Sequence, residues 1–325
     1  MFIPLPIASF LWPVVGVGVW TWLSLANPHR EIYGALGHQP LVALIAVITM
    51  VGWILLERRR LPVAPPFVGF MLALLAILAL ATWYSLRSGV SDDLFERHWK
   101  TLLLVAFFYL CLDSKNRIHV LLAVLVLSLA YWGVKGGLTF IASAGQHQFN
   151  GPPRSMIGDR NHLAVALVMV LPLVLYLANF YRDTPVLRWG LYGAAALTAL
   201  AALGTYSRGG TIALIVVIAL LALRARRRVV GILLGAATLL ALVVLVPQEL
   251  VDRMSTIETA AEEDKSFQGR IVSWYVYFHA GLDRPLTGVG PGAAQYRGVY
   301  FQYTPPVEWV GFLPDSGVAA HSLYF

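Results

Sequence analysis

Cysteine is almost missing: Cys111 is the only one in 325 residues, and it lies inside an apolar run. An intrachain disulfide is therefore excluded, and cysteine usage says nothing about the compartment. Charge is the second shortage. Asp, Glu, Lys and Arg together make up 13% of the chain, half of the roughly 25% found in soluble domains. With 58% hydrophobic residues and a mean hydropathy of +0.70, the solvent that suits this chain is lipid. The start, MFIPLPIASFLWPVV, has neither a basic leader nor a small-residue cleavage site, so it is expected to be a spanning segment and not a removable signal peptide. No His-Glu-x-x-His, paired cysteines or other metal-ligand spacing occurs, so no metal and no cofactor is expected.

What the chain does have is a series of long apolar runs. A helix needs about 20 mostly apolar residues to cross the hydrocarbon. On that criterion nine spans are predicted: Pro4–Leu25, Pro40–Leu56, Phe67–Tyr84, Trp99–Leu112, Ile118–Phe140, Leu163–Phe180, Leu187–Leu203, Thr211–Leu223 and Val229–Val246. The fourth and eighth are short and free to extend into their flanks. The expected fold is all-α, a polytopic helical membrane protein with a bundle over residues 1–246. Residues 247–320 change character to mixed acidic, basic, aromatic and glycine–proline clusters, and are expected to form one large outward loop. Residues 321–325 read as the start of a further span that continues past Phe325.

Orientation follows from the lysine and arginine bias. The densest basic clusters, Glu57–Arg60 and Arg224–Arg228, are separated by six predicted spans and so fall on one side, which the bias makes cytoplasmic. The N-terminus and the loops Asp113–Arg117 and Tyr181–Leu187 then face the cytoplasm as well. Arg87–His98, Ser143–His162, Thr205–Gly210 and the segment after Val246 face out.

Several arginines then stand where the charge bias disfavours them. Arg208 lies in GTYSRGG, between two membrane-grade runs; Arg154 and Arg160 lie in GPPRSMIGDRNHLAVAL; Arg253, Arg270, Arg284 and Arg297 lie in the large loop. A single outward arginine ordinarily snorkels to headgroups. Several on one face, two of them beside glycine, point to an anionic ligand, because the guanidinium fork offers phosphate two parallel hydrogen bonds. Arg208 opens the eighth span, where the helix dipole and unpaired amides also favour an anion. Its neighbours Tyr206 and Ser207 are expected to share that site. Arg154 and Arg160 precede the sixth span, whose cap could be Asp159 or Asn161, and Asp159 can also pair with Arg160. Lys135, inside YWGVKGGLTF, is an ionisable residue within a span and a candidate substrate contact.

In the large loop, Phe267, Ile271, Trp274 and Phe278 recur at helical spacing, which predicts an amphipathic helix with a membrane-facing stripe and Arg270 on its flank. The following GVGPG has no strand before it and no βαβ pattern around it, so it is read as a tight loop and not a nucleotide fingerprint. His321, near the end of the chain, titrates near neutrality by default and is a candidate proton acceptor. The acidic runs Ser91–Asp93 and Glu262–Asp264 are read as solvated surface. Basic residues outside the cytoplasm make nucleic acid an unsuitable partner. A transporter or binding protein for anionic lipid-linked substrates is the rival of another class, but it calls for acids within the spans, and almost none occur.

The ordered set GPPRSMIGDRNHLAVALVMVLPL, TYSRGG, GRIVSW, RPLTGVGPG and AHSLYF resembles the O-antigen ligase and O-antigen polymerase superfamily, and is most similar to the O-glycosylation ligase branch associated with exosortase systems. The resemblance implies a location in the bacterial inner membrane. It also implies a glycan moved from undecaprenyl diphosphate to an acceptor lipid, protein or sugar on the periplasmic face, or, in a polymerase, to another lipid-linked glycan. It gives Arg208 and Arg270 the diphosphate and His321 the role of base, with Arg154, Arg160 and Lys135 as further substrate contacts. Asp159-Arg160-Asn161 stands here where relatives often carry Asp-Asn-Asn. The residues suit that chemistry. A sugar C1 on a diphosphate already has a good leaving group, so a base and charge stabilisation suffice. Each Arg–phosphate pair is worth up to about 4 kcal/mol at 4 Å before desolvation. Direct displacement inverts the anomeric centre and needs no metal.

Overall fold

A computed structural model describes residues 4–31, 39–57, 65–153, 155–225, 265–306 and 317–320, with isolated helical positions between 229 and 240. The described residues form helices and turns without a strand, the fold of a polytopic helical membrane protein. By length and composition, four helices among them can cross a membrane: Pro66–Trp83, Lys115–Ala142, Arg160–Phe180 and Pro185–Gly204. Three further apolar helices, Pro13–Leu25, Leu41–Leu56 and Arg208–Leu223, are shorter. The ninth predicted span lies, apart from those isolated positions, outside the described residues.

The chain divides into two units: Met1–Arg59 with Cys111–Met254, and Arg60–Leu110 with Ser255–Phe325. The first contains α1 (Pro4–Leu11), α2 (Pro13–Leu25), α3 (Leu41–Leu56), α6 (Lys115–Ala142), α7 (Arg160–Phe180), α8 (Pro185–Gly204) and α9 (Arg208–Leu223). The first predicted span is thus two helices. Pro13 has no N–H to donate and pushes Trp12 into extended backbone (φ −128°, ψ 90°), so the helix stops and restarts there.

The core of this unit is a stripe along α7. Leu163, Leu167, Val170 and Val174 are fully buried at helical spacing, while Val165, Met169 and Tyr176 on the other side are exposed. A helix apolar all round, with one face in protein and one exposed, is the pattern expected where lipid replaces water. Helix α6 packs along α8. There α6 presents Gly133, Gly136 and Gly137, and a Cβ on Gly137 would stand 2.3 Å from the Leu197 carbonyl oxygen. Small residues let two membrane helices approach backbone to backbone, where dispersion replaces the missing hydrophobic drive.

The second unit holds α4 (Pro65–Trp83), α5 (Ser88–Cys111), α10 (Lys265–Asp283) and the short α11 (Arg297–Tyr300). The fourth predicted span is the apolar end of α5, which begins well before Trp99 and runs through Asp92, Asp93, Glu96 and Arg97. GVGPG is a clamp on the turn between α4 and α5. Leu86 N–H donates to the Val289 carbonyl at 3.0 Å, and Ser91 Oγ to the Pro291 carbonyl at 2.8 Å. Gly290 adopts φ +103°, open only to glycine, and a Cβ there would meet Ser85 Oγ at 2.2 Å and Ser85 Cα at 2.9 Å. Gly290→Ala is accordingly expected to destabilise the protein by about 2 kcal/mol or more. Gly288, at φ +57° with open space around it, is expected to cost only about 1 kcal/mol when replaced by alanine. Thermal unfolding of the two variants side by side tests the ranking; equal midpoints would remove the clamp.

Candidate functional site

The motif GTYSRGG is the junction of α8 and α9. Gly204 ends α8, Tyr206 takes the left-handed conformation (φ 54°), and Ser207 caps α9. A bulky residue in that region is strained. Tyr206 is held there by burial and by its hydroxyl, which donates to the Gly145 carbonyl beyond the end of α6. The sharp reversal makes Arg208 the first residue of α9. Ser207 Oγ accepts from the Gly210 amide at 3.2 Å, an ordinary N-cap.

The motif GDRNH does the same for α7. Asp159 Oδ1 accepts from the Asn161 amide at 2.8 Å and the His162 amide at 3.4 Å, and Arg160 is the first helical residue. Burial alone would raise the Asp159 carboxyl, but the two backbone N–H groups and the nearby His162 outweigh it and hold it below its usual range. Of the two caps the sequence allowed, Asp159 is the one used.

These two helix starts lie side by side. Ser207 Oγ donates to Asn161 Oδ1 at 2.8 Å, and a Cβ on Gly210 would come within 2.5 Å of the Ala164 Cβ. Two N-terminal dipoles, each opening on an arginine, therefore share one end of the unit. Arg160 and Arg208 are each half-buried, with backbones anchored by neighbouring caps. The loop from Phe149 closes over the same end, its amide donating to the Gly204 carbonyl at 2.7 Å. This arrangement suits a multiply charged anion: paired positive helix ends plus guanidinium groups set by rigid backbone.

Ser207→Ala removes the cap and the link to Asn161 together. It is expected to lower stability by about 1–2 kcal/mol, more than Thr211→Ala, whose hydroxyl only returns to the Ser207 carbonyl at 3.1 Å. Denaturation midpoints in detergent measure the difference.

Lys135 is placed elsewhere. It sits on the face of α6 opposite the glycines that pack on α8, where Nζ pairs with Glu31 Oε1 at 2.7 Å and lies 4.8 Å from the Trp132 ring. Tyr131 donates to the other Glu31 oxygen at 2.7 Å. Burial would raise the Glu31 carboxyl, but these hydrogen bonds and the ammonium charge outweigh it and hold it below its ordinary value. Its charge is thus already matched within the protein, and Glu31 is the partner that spacing gave no means of finding. Arg154 lies outside the described residues.

In the second unit, Arg270 is exposed on α10, and His321 lies outside the described residues. The residue before it is described: Trp274 Nε1 donates to the Ala320 carbonyl at 2.8 Å, one helical turn from Arg270. Below, Ser273 Oγ lies 3.1 Å from the Tyr300 hydroxyl and donates to the Val318 carbonyl at 3.5 Å. The strand of chain leading to His321 is therefore laid along the same helix that carries Arg270. Trp274 and Ser273 are the residues that sequence reading assigned to a surface stripe or passed over; a tryptophan four residues after an arginine on one helix was the available signal. Among the described residues, no three His, Cys, Asp or Glu side chains gather as a metal site would require.

Comparison with known families divides the chain. Residues 1–182 match the model of a family of unknown function, DUF5935, and residues 193–325 match that of O-antigen ligase. The hydrogen bond between Asn161 and Ser207 joins the two matched segments. No curated protein and no solved structure matches the chain.

Proposed function

The chain belongs to the DUF5935 family, whose function is unknown; from the O-antigen ligase match over residues 193–325 and the paired helix starts we propose that it is a membrane glycan ligase. The donor is a glycan on a polyprenyl diphosphate, undecaprenyl diphosphate in a bacterial inner membrane, and the acceptor hydroxyl belongs to a lipid, protein or glycan on the periplasmic face. The observation that carries this reading is the junction at Asn161 and Ser207, 2.8 Å apart, which sets Arg160 and Arg208 on adjacent helix N-termini.

In this reading the diphosphate binds where those dipoles and guanidinium groups converge, and Arg270 is assigned to the diphosphate by its motif alone. Tyr206 acts through the bend it maintains; Arg154 keeps the substrate role its motif implies, and Lys135, paired with Glu31, acts away from the diphosphate. The acceptor oxygen attacks C1 of the sugar as the bond from C1 to the phosphate oxygen breaks. The proton of the acceptor passes to His321, the negative charge stays on the departing diphosphate, and the anomeric centre inverts. No metal or nucleotide is needed. The outward orientation is supported by charge: the end of the first unit opposite the paired helix starts carries Arg117, Arg182 and Arg188. The bundle over 1–246, the outward loop over 247–320 and the exosortase-associated branch belong to the same reading.

The test is transfer by the full-length protein in proteoliposomes, with a polyprenyl-diphosphate glycan, a panel of hydroxyl acceptors and a chelator present. Release of the lipid diphosphate with an inverted linkage on the acceptor is the expected result. Glycan ladders on the lipid carrier would identify a polymerase instead, and anion flux without donor turnover would identify a transporter.

A further inference from the structure

The helix α10 has two unlike faces. Gly269, Val272, Ser273, Val276 and Ala280 are buried, and Val272 and Val276 form a small core with Tyr300. On the other side Ile271, Trp274, Phe278 and Leu282 are 40%, 36%, 52% and 62% exposed. At 3.6 residues per turn these four fall within an arc of about 80°. Arg270 borders the arc beside Trp274, and its side is exposed as well.

The place of this stripe follows from what its end is tied to. Just past α10, Arg284 Nη1 donates to the Tyr84 carbonyl at 3.2 Å, and Val289 accepts from Leu86 at 3.0 Å. Tyr84 directly follows α4, whose Pro66–Trp83 window has a mean hydropathy of 2.2 and whose Phe70, Leu72, Ile77 and Trp83 are exposed. A helix of that length and character spans the hydrocarbon, and its terminal Trp83-Tyr84 pair belongs at the membrane–water boundary, where such rings concentrate. The C-terminal end of α10 is therefore pinned at headgroup level. Leu286, in the intervening turn, is 84% exposed.

We infer that α10 is an interfacial helix, its Ile271–Trp274–Phe278–Leu282 stripe immersed in the outer boundary of the bilayer, with Arg270 beside the stripe at headgroup level. The occupant of this face is lipid, and two features favour it. The end of the helix is hydrogen-bonded to the residues that follow a spanning helix, and the cations Arg270 and Arg284 flank the stripe while Asp283 accepts from the Tyr303 hydroxyl at 2.8 Å. A helix of this kind sinks its apolar side by about 5–10 Å into the headgroup–acyl boundary. The Trp274 indole fits that position, with its N–H satisfied by Ala320 and its ring left to the lipid. The inference rests on the membrane-spanning fold alone and is independent of the glycan reading.

Cys111 is buried, so a nitroxide can be directed to one introduced cysteine without removing it. Phe278→Cys and Leu282→Cys, labelled in the full-length protein in liposomes, are compared with Asp183→Cys in a solvated loop and Val276→Cys in the core. The expected result is an oxygen-to-nickel-chelate accessibility ratio several-fold higher at 278 and 282 than at 183, with 276 closed to both reagents. Labels at 278 and 282 as open to the nickel chelate as 183 overturn the proposal. So does exclusion of both reagents together with spectral broadening that disappears on spin dilution, which would make the face a contact between copies. If one variant fails to fold, Ile271→Cys on the same arc supplies the reading.

Discussion

Arg208→Ala is expected to lower glycan transfer by about 100- to 1000-fold while leaving the folded protein intact, the loss seen when one preorganised donor to a developing negative charge is removed. Arg208 is the first residue of α9, beside a cap made by Ser207 and one hydrogen bond from the start of α7. Its backbone is thus held by contacts that do not involve its own side chain. Arg208→Lys keeps the charge but loses the planar fork, and is expected to recover only part of the rate. In the proposed assignment the guanidinium acts on the departing diphosphate, so the loss is expected in kcat more than in KM. A steady-state assay in proteoliposomes separates the two; an Arg208→Ala protein that transfers at the wild-type rate ends the proposed assignment.

The second large effect is structural. Gly137→Val is expected to cost about 3 kcal/mol or more and to abolish monodisperse protein, since the new Cβ meets the Leu197 carbonyl oxygen at 2.3 Å and its carbon at 2.7 Å. Backbone cannot rotate away as a side chain can, so α6 and α8 must part. That separation empties the contacts of Trp132 and Ala201 in the buried core and removes the seat of the 143–158 loop on α8. Gly193→Val on the same α8, with open space around the glycine, is the control and is expected to fold normally. Size-exclusion profiles and melting curves of the two variants decide the matter.

The helical class and the positions of the apolar helices Pro66–Trp83, Lys115–Ala142, Arg160–Phe180 and Pro185–Gly204 were legible from composition and apolar run length, because a bilayer leaves a backbone few alternatives to the helix. The helix starts at Arg160 and Arg208 were legible too, from a small polar residue and an arginine set before an apolar run. The break at Trp12 and Pro13 was written in the sequence but was overridden by the hydropathy of its surroundings. The early start of α5 was hidden because its first three turns are polar, and an apolar-run criterion ends where charge begins.

The sequence by itself determined that this chain is helical, that it belongs in lipid, and which few charged residues it keeps near its helix ends. Only the tertiary structure decided which of those residues meet. Asn161 and Ser207 are far apart in the chain and become a pair because α7 packs against both α8 and α9. Lys135 is given to Glu31, and Trp274 to Ala320, by the same kind of distant approach. Periodicity reports how each helix divides its own faces. Which face of which neighbour it then touches is set by the fit of small residues and carbonyls between helices, and no local pattern encodes it.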